Sequence, residues 1–221
     1  MNFYELVRQS VLAPVPKRLR DEVRRFASLE PEARWVYARR FMQRTRGRAA
    51  VTDQLTVAAP LKVLFVCHGN IMRSALAEAV LVDRAKRVHG ATIRVRSAGT
   101  HATPGSTADL RMQKAAAALG IPLDQHRATI LSRDLVEEND IVFVMDHLNE
   151  ASVLARFPSL GAKVRLLGTY SPSIREGIEI PDPFTGDDAQ ASQCAVRVAA
   201  CVDAFLATVR GATAGDYSHS L

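Results

Sequence analysis

The sequence predicts an α/β fold: a four-stranded parallel sheet with helices on both faces, preceded by a small N-terminal α-helical extension. Three observations carry that expectation. Four short runs rich in β-forming residues fall between positions 61 and 167 with helical segments between them, and strands that alternate with helices need crossovers and hence a parallel sheet. The first run is apolar almost throughout, as a strand covered on both faces must be. Residues 1–60, by contrast, show helical periodicity and hold the charge excess, with Lys17 and eleven Arg against six acidic residues, while residues 61–221 balance at 17 against 17.

The extension comes first. Phe3, Leu6, Val7 and Val11 form one apolar stripe; Leu19, Val23, Phe26 and Ala27 form a second; Ala33, Val36, Tyr37, Arg40 and Phe41, with Trp35 beside them, form a third. Pro14, Pro16 and Pro31 punctuate these segments, and Pro31 suits a first helical position. From Thr45 to Pro60 the periodicity fails, which reads as a linker. The chain thus divides into a basic helical extension and linker (1–58), a larger α/β unit (59–211) and a flexible tail (212–221). The arginines suit an acidic partner, an anionic surface or a second subunit. Charge runs are more often solvated faces, however, so the favoured reading is a helical hairpin packed on the larger unit, or a dimer contact, with its arginines solvated. No recognition motif or interleaved aromatic residues accompany the arginines, so no specific nucleic-acid partner is expected.

Leu61, Val63, Leu64, Phe65 and Val66 make the first strand, and Ser74–His89 reads as a helix with Gly90 placed to cap it. Ala91–Ser97 alternates as a second strand, a helix follows over Thr107–Leu119 and stops at Gly120, and Ser132–Glu138 is a short helix. Asp140–Met145 and Lys163–Leu167 are the third and fourth strands, and a last helix runs from about 188 to 210. No signal-type apolar segment opens the chain, and three cysteines do not suggest a disulfide framework, so a reducing, cytoplasmic setting is the default.

Cys67–Arg73 is therefore a strand-to-helix loop at the carboxyl end of a strand, where open α/β sheets place ligands. A loop this short over a helix N-terminus can aim successive backbone N–H groups at a tetrahedral oxyanion. The same dipoles favour a thiolate at Cys67 and make it a nucleophile. Arg73 can grip two phosphate oxygens with its planar fork, Ser74 can give its hydroxyl to the sulfur, and Gly69 and Asn70 tolerate left-handed backbone. The bare Cys-x5-Arg spacing is weak in an arginine-rich chain; the strand, loop and helix around it are not.

CHGNIMRS in this context resembles the active-site loop of the low-molecular-weight protein tyrosine phosphatases, which share their fold with arsenate reductases. The resemblance covers residues 61–210. It implies a phosphomonoester hydrolase working through a phosphocysteine intermediate without a cofactor, on phosphotyrosine protein or a small phosphomonoester. His68, Gly69, Asn70, Ile71, Met72 and Ser74 then belong to the substrate-binding loop, with His68 at the rim. It implies further that Ser97, in the SAGT turn, supports Asn70, and that Asp146 after the third strand is structural. Ile180-Pro181-Asp182-Pro183-Phe184 supplies the general acid, Asp182, with Asp187 and Asp188 as alternates, and Phe184 supplies an aromatic rim. Departures are Met72 where many members carry a second Cys, and Thr185 where a second rim aromatic would stand. Ile71 fits the tyrosine branch better than the arginine phosphatase branch, where Thr stands. An arsenate reductase-like activity lacks its thiol pair after the third strand, since Cys194 and Cys201 share one helix face. A phosphate-binding adaptor reading sits poorly with nucleophile, Arg and acid together. The six histidines show no metal-ligand spacing, so no metal is expected.

Overall fold

The computed structural model describes residues 17–45, 60–87, 93–173, 175 and 177–215. Four parallel strands, β1 (Leu61–Cys67), β2 (Ile93–Gly99), β3 (Ile141–Val144) and β4 (Val164–Leu166), form one sheet in the order β2-β1-β3-β4. The helices are α1 (Lys17–Ala27), α2 (Pro31–Thr45), α3 (Arg73–Lys86), α4 (Leu110–Ala118), α5 (Arg133–Glu137), α6 (His147–Arg156) and α7 (Asp188–Gly215).

The unbroken apolar run of β1 is explained by its central place. Leu61, Val63, Phe65 and Cys67 enter one core, and Leu64 and Val66 enter the other. The first core is closed by α3, α4 and α7 through residues such as Leu76, Met112, Val198 and Phe205; the second by α5 and α6 through Val136, Val153 and Leu154. Phe143 of β3 anchors the first, with the Phe205 ring 4.8 Å away and the Phe65 ring 5.6 Å away. By length and composition α7 could cross a bilayer, but Val198, Cys201, Val202 and Phe205 are spent on this core. β2 lies at the sheet edge with Arg94 and Arg96 exposed, which accounts for its alternating sequence.

Several boundaries differ from the sequence reading. The helix expected over 107–119 starts at Leu110 because the Asp109 side chain accepts the Arg111 N–H and caps it there. The last helix continues to Gly215, five residues past its expected end and beyond the residue-211 limit of the larger unit. Helix α6 has no counterpart in the sequence reading. The stripe over residues 3–11, most of the 45–60 linker and the Gly90 cap lie outside the described residues.

Helices α1 and α2 form a hairpin, and α2 packs on α6: Leu29, Ala33 and Tyr37 bury against Ala151, with Leu148 and Ala155 alongside. Arg40 pairs with Glu150 at 3.2 Å across the same contact. The α1 stripe is not buried as its pattern suggests, since Val23 is 58% exposed and Phe26 38%; docking uses one face of α2 instead.

Candidate active site

β1 delivers Cys67 to the carboxyl edge of the sheet, and α3 begins six residues later at Arg73. The loop between them turns on Asn70, whose φ of 53° is the only positive value at a non-glycine among the described residues. Five hydrogen bonds hold it in that conformation. Its N–H donates to Cys67 Sγ at 3.3 Å, and its Nδ2 donates to Ser74 Oγ at 2.9 Å and to Ser97 Oγ at 2.8 Å. Its Oδ1 accepts from the Thr129 N–H at 2.8 Å, and its carbonyl accepts from His126 Nε2 at 2.6 Å. Gly69 does not take the left-handed backbone expected of it; a Cβ there would meet only the Ile71 side chain, at an ordinary 3.5 Å. The glycine that the loop requires is Gly99, at the end of β2, where a Cβ would fall 2.6 Å from His68 O.

Ser74 Oγ lies 3.0 Å from Cys67 Sγ and 3.3 Å from Ala98 O, so its single proton can go to the sulfur while Asn70 donates to its oxygen. Behind it, Ser97 Oγ donates to Glu78 Oε2 at 2.5 Å. Burial pushes the Glu78 carboxyl above its ordinary pKa, against the Ser97 hydrogen bond. A continuous polar chain thus runs from Glu78 to the sulfur.

The Arg73 side chain is 1% exposed. NH1 donates to Asp146 Oδ2 at 2.6 Å and to Ile180 O at 3.0 Å, and NH2 donates to Asp182 Oδ2. Burial opposes the guanidinium charge, but Asp146 and Asp182 together hold its pKa above the ordinary value. Three of five donors are thereby used, and Nε, buried, has no partner among the described residues. A buried donor left unpaired is costly, and an oxyanion held beside Cys67 would satisfy it.

A cavity of about 490 Å³ opens over the sulfur. Cys67, His68, Gly69, Ile71, Arg73, Asp182 and Phe184 line it, together with His101, Thr103 and Ser106. Asn70 and Ser74 do not line it; both are fully buried behind the loop and act through hydrogen bonds rather than by touching a substrate. Met72 contributes at the floor while its side chain joins the core. Asp187 and Asp188 stay outside: Asp187 accepts the Gln190 N–H at the start of α7 and Asp188 faces Lys114 at 3.6 Å. Burial first, and then the neighbouring His101, push the His68 pKa down; the two rings stack with centroids 4.4 Å apart.

Two contributors, His101 and Arg111, were not legible beforehand, and Asp146, expected to be structural, has a definite part. Asp146 both caps α6, accepting the Asn149 N–H at 2.7 Å, and anchors Arg73. His101 stacks on the loop rim. Arg111 braces the acid loop, donating to Gly186 O at 2.6 Å and Phe184 O at 3.0 Å. No cluster of His, Cys, Asp and Glu able to hold a metal occurs among the described residues.

The family model for low molecular weight phosphotyrosine protein phosphatase matches residues 62–214. A low molecular weight protein-tyrosine-phosphatase from Streptomyces coelicolor is 36% identical over 154 residues, spanning 67% of this chain and 93% of its own. Among solved structures, the arginine phosphatase from Geobacillus stearothermophilus aligns with a TM-score of 0.64 at 25% identity, over 73% of this chain and all of its own. The tyrosine phosphatase from Erwinia amylovora aligns with a TM-score of 0.62 at 25% identity, over 69% and 95%.

Proposed function

This chain belongs to the low molecular weight phosphotyrosine protein phosphatase family, whose members are cysteine-dependent enzymes, and from that premise we propose a mechanism residue by residue. The Cys67 thiolate attacks the phosphorus of a phosphotyrosine ester, and the S–P bond forms as the ester O–P bond breaks. Asp182 gives its proton to the departing phenoxide oxygen. Arg73 exchanges Asp182 for two phosphate oxygens, presenting Nε and NH2, while Asp146 keeps NH1 anchored. The Asp182 carboxylate then takes a proton from water, whose oxygen attacks the phosphocysteine and releases inorganic phosphate and the thiolate. Ser74, donating to the sulfur, stabilises the thiolate as the leaving group of that second step.

The observation that carries this reading is the convergence of Cys67, the partly unsatisfied Arg73 and Asp182 on one cavity. Cys67→Ser is expected to abolish turnover of an aryl phosphate, and acid quench of the wild-type enzyme with labelled substrate is expected to trap phosphate on Cys67; turnover preserved in Cys67→Ser refutes the mechanism. A thiolate nucleophile needs a reducing compartment, which supports a cytoplasmic setting.

The arginine phosphatase neighbour supports a second reading of the substrate. Parallel turnover of phosphotyrosine and phosphoarginine peptides separates the two, and Ile71 in the cavity wall favours the flat ring of tyrosine. Electron relay to arsenate has little support: Cys194 and Cys201 are buried in α7, and burial pushes the Cys194 thiol up to about 12.

A further inference from the structure

The family match begins at residue 62, so the α1–α2 hairpin lies outside it, yet its turn sits against both walls of the active site. On one wall Arg25 makes a bidentate fork to Glu179, NH1 to Oε2 at 3.1 Å and NH2 to Oε1. Glu179 lies three residues before Asp182 and also accepts the His147 N–H at 2.9 Å. Between them, Ile180 donates its N–H to Met145 O at 2.8 Å. On the other wall Glu30 Oε1 accepts from Arg156 NH2 at 3.2 Å and from His101 Nε2 at 3.1 Å. That leaves His101 Nδ1 to accept the Thr100 hydroxyl at 3.0 Å and fixes the ring stacked on His68. Arg156 also donates to Thr100 O at 2.6 Å.

We propose that the hairpin is a positioning clamp acting in cis: Arg25, through Glu179, holds the loop that carries Asp182, and Glu30 holds the His101–His68 stack at the cavity mouth. The inference rests on the reading of Asp182 as general acid. Arg73 cannot hold the Asp182 carboxylate itself during turnover, because the donor that ties the two together is needed for the phosphate. When Arg73 turns NH2 and Nε to substrate, the acid loop keeps the Arg73 NH1 bond to Ile180 O, the Ile180 N–H bond to Met145 O, the Arg111 brace and the Arg25 fork. Only the fork is a paired charge, and only it comes from outside the family region. Burial works against the Glu179 carboxylate, while Arg25 and the His147 N–H hold its pKa below the ordinary range. Without Arg25 that carboxylate keeps one donor and is driven toward water, taking the loop with it.

The test is the leaving-group dependence of kcat/KM, which reports the protonated step and which a general loss of stability does not move. Full-length Arg25→Gln is compared with wild type on p-nitrophenyl phosphate, whose leaving group needs little help, and phenyl phosphate, whose leaving group needs a proton. The expected loss is about tenfold greater for phenyl phosphate, part of the 10²–10⁴-fold that a general acid supplies. Arg25→Lys is expected to recover only part of it, since an ammonium cannot make the fork. Arg40→Gln, which removes the hairpin's pair with Glu150 away from the cavity, is expected to leave the ratio unchanged. Equal loss on both substrates in Arg25→Gln, or none, overturns the clamp. Asp182→Asn run alongside separates the two readings. If it discriminates between the substrates and Arg25→Gln does not, the clamp alone falls; if Asp182→Asn does not discriminate, the acid assignment falls and takes the clamp with it.

Discussion

Replacing Gly99 by alanine should cripple the enzyme without touching a reacting atom. The added Cβ would lie 2.6 Å from His68 O, 2.8 Å from Asn70 N and 2.9 Å from Ala102 Cβ. Two of these are backbone atoms of the phosphate-binding loop, so no flexible side chain can absorb the overlap. To reach an ordinary 3.4 Å contact, His68 O must retreat by roughly 0.8 Å. Retreat is resisted, because His101 N–H donates to that oxygen at 2.8 Å and Thr100 N–H donates to Cys67 O at 2.9 Å. The strain should cost about 1–3 kcal/mol of stability. A displacement near 1 Å of groups that position the reaction costs on the order of 10²-fold in rate. Steady-state kcat with an aryl phosphate, beside urea unfolding, measures both. Gly120→Ala is the control: at φ +74° with open space around it, it should lose about 1 kcal/mol of stability and no activity. Full kcat in Gly99→Ala would show that the loop does not depend on that contact.

Asp146→Asn keeps the cap on α6, since Asn caps as well as Asp, but removes one carboxylate from the buried guanidinium. It should lower stability by about 2 kcal/mol and kcat/KM at least about tenfold; wild-type values in both denaturation and kinetics would refute an anchoring role. Glu78 gives a pH signature. Its folded pKa is raised above the unfolded value, so the folded state holds the extra proton and stability falls as pH rises through the window between the two. Glu78→Gln should flatten the unfolding free energy over that window, beginning near the ordinary carboxylate value of about 4.3. An unchanged slope in a pH series of urea melts would place the raised pKa elsewhere.

Much of the site was written in one octapeptide because its determinants are local. The strand that ends at Cys67 and the helix that starts at Arg73 are both readable from periodicity, and Asn70 is among the few residue types that accept the turn at φ 53°. The groups that aim these atoms come from far along the chain. Asp146 reaches Arg73 across 73 positions because β3 lies beside β1, and Arg25 reaches Glu179 across 154 because α2 docks on α6. Helix α6 itself escaped notice for the same reason. It is buried on the sheet side by Val153 and Leu154 and on the hairpin side by Ala151, and His147, Asn149 and Ser152 are buried too, so no clean apolar stripe remains. The second stripe of the extension failed in the opposite sense: Val23 and Phe26 repeat at helical spacing, but the hairpin is held by Leu29, Ala33 and Tyr37. Periodicity reports that a helix has a face, whereas what the face meets is settled by the order of strands in the sheet. A nucleophile and its phosphate grip can therefore be read from neighbouring residues, while the carboxylates and arginines that orient them depend on which distant segments the sheet brings together.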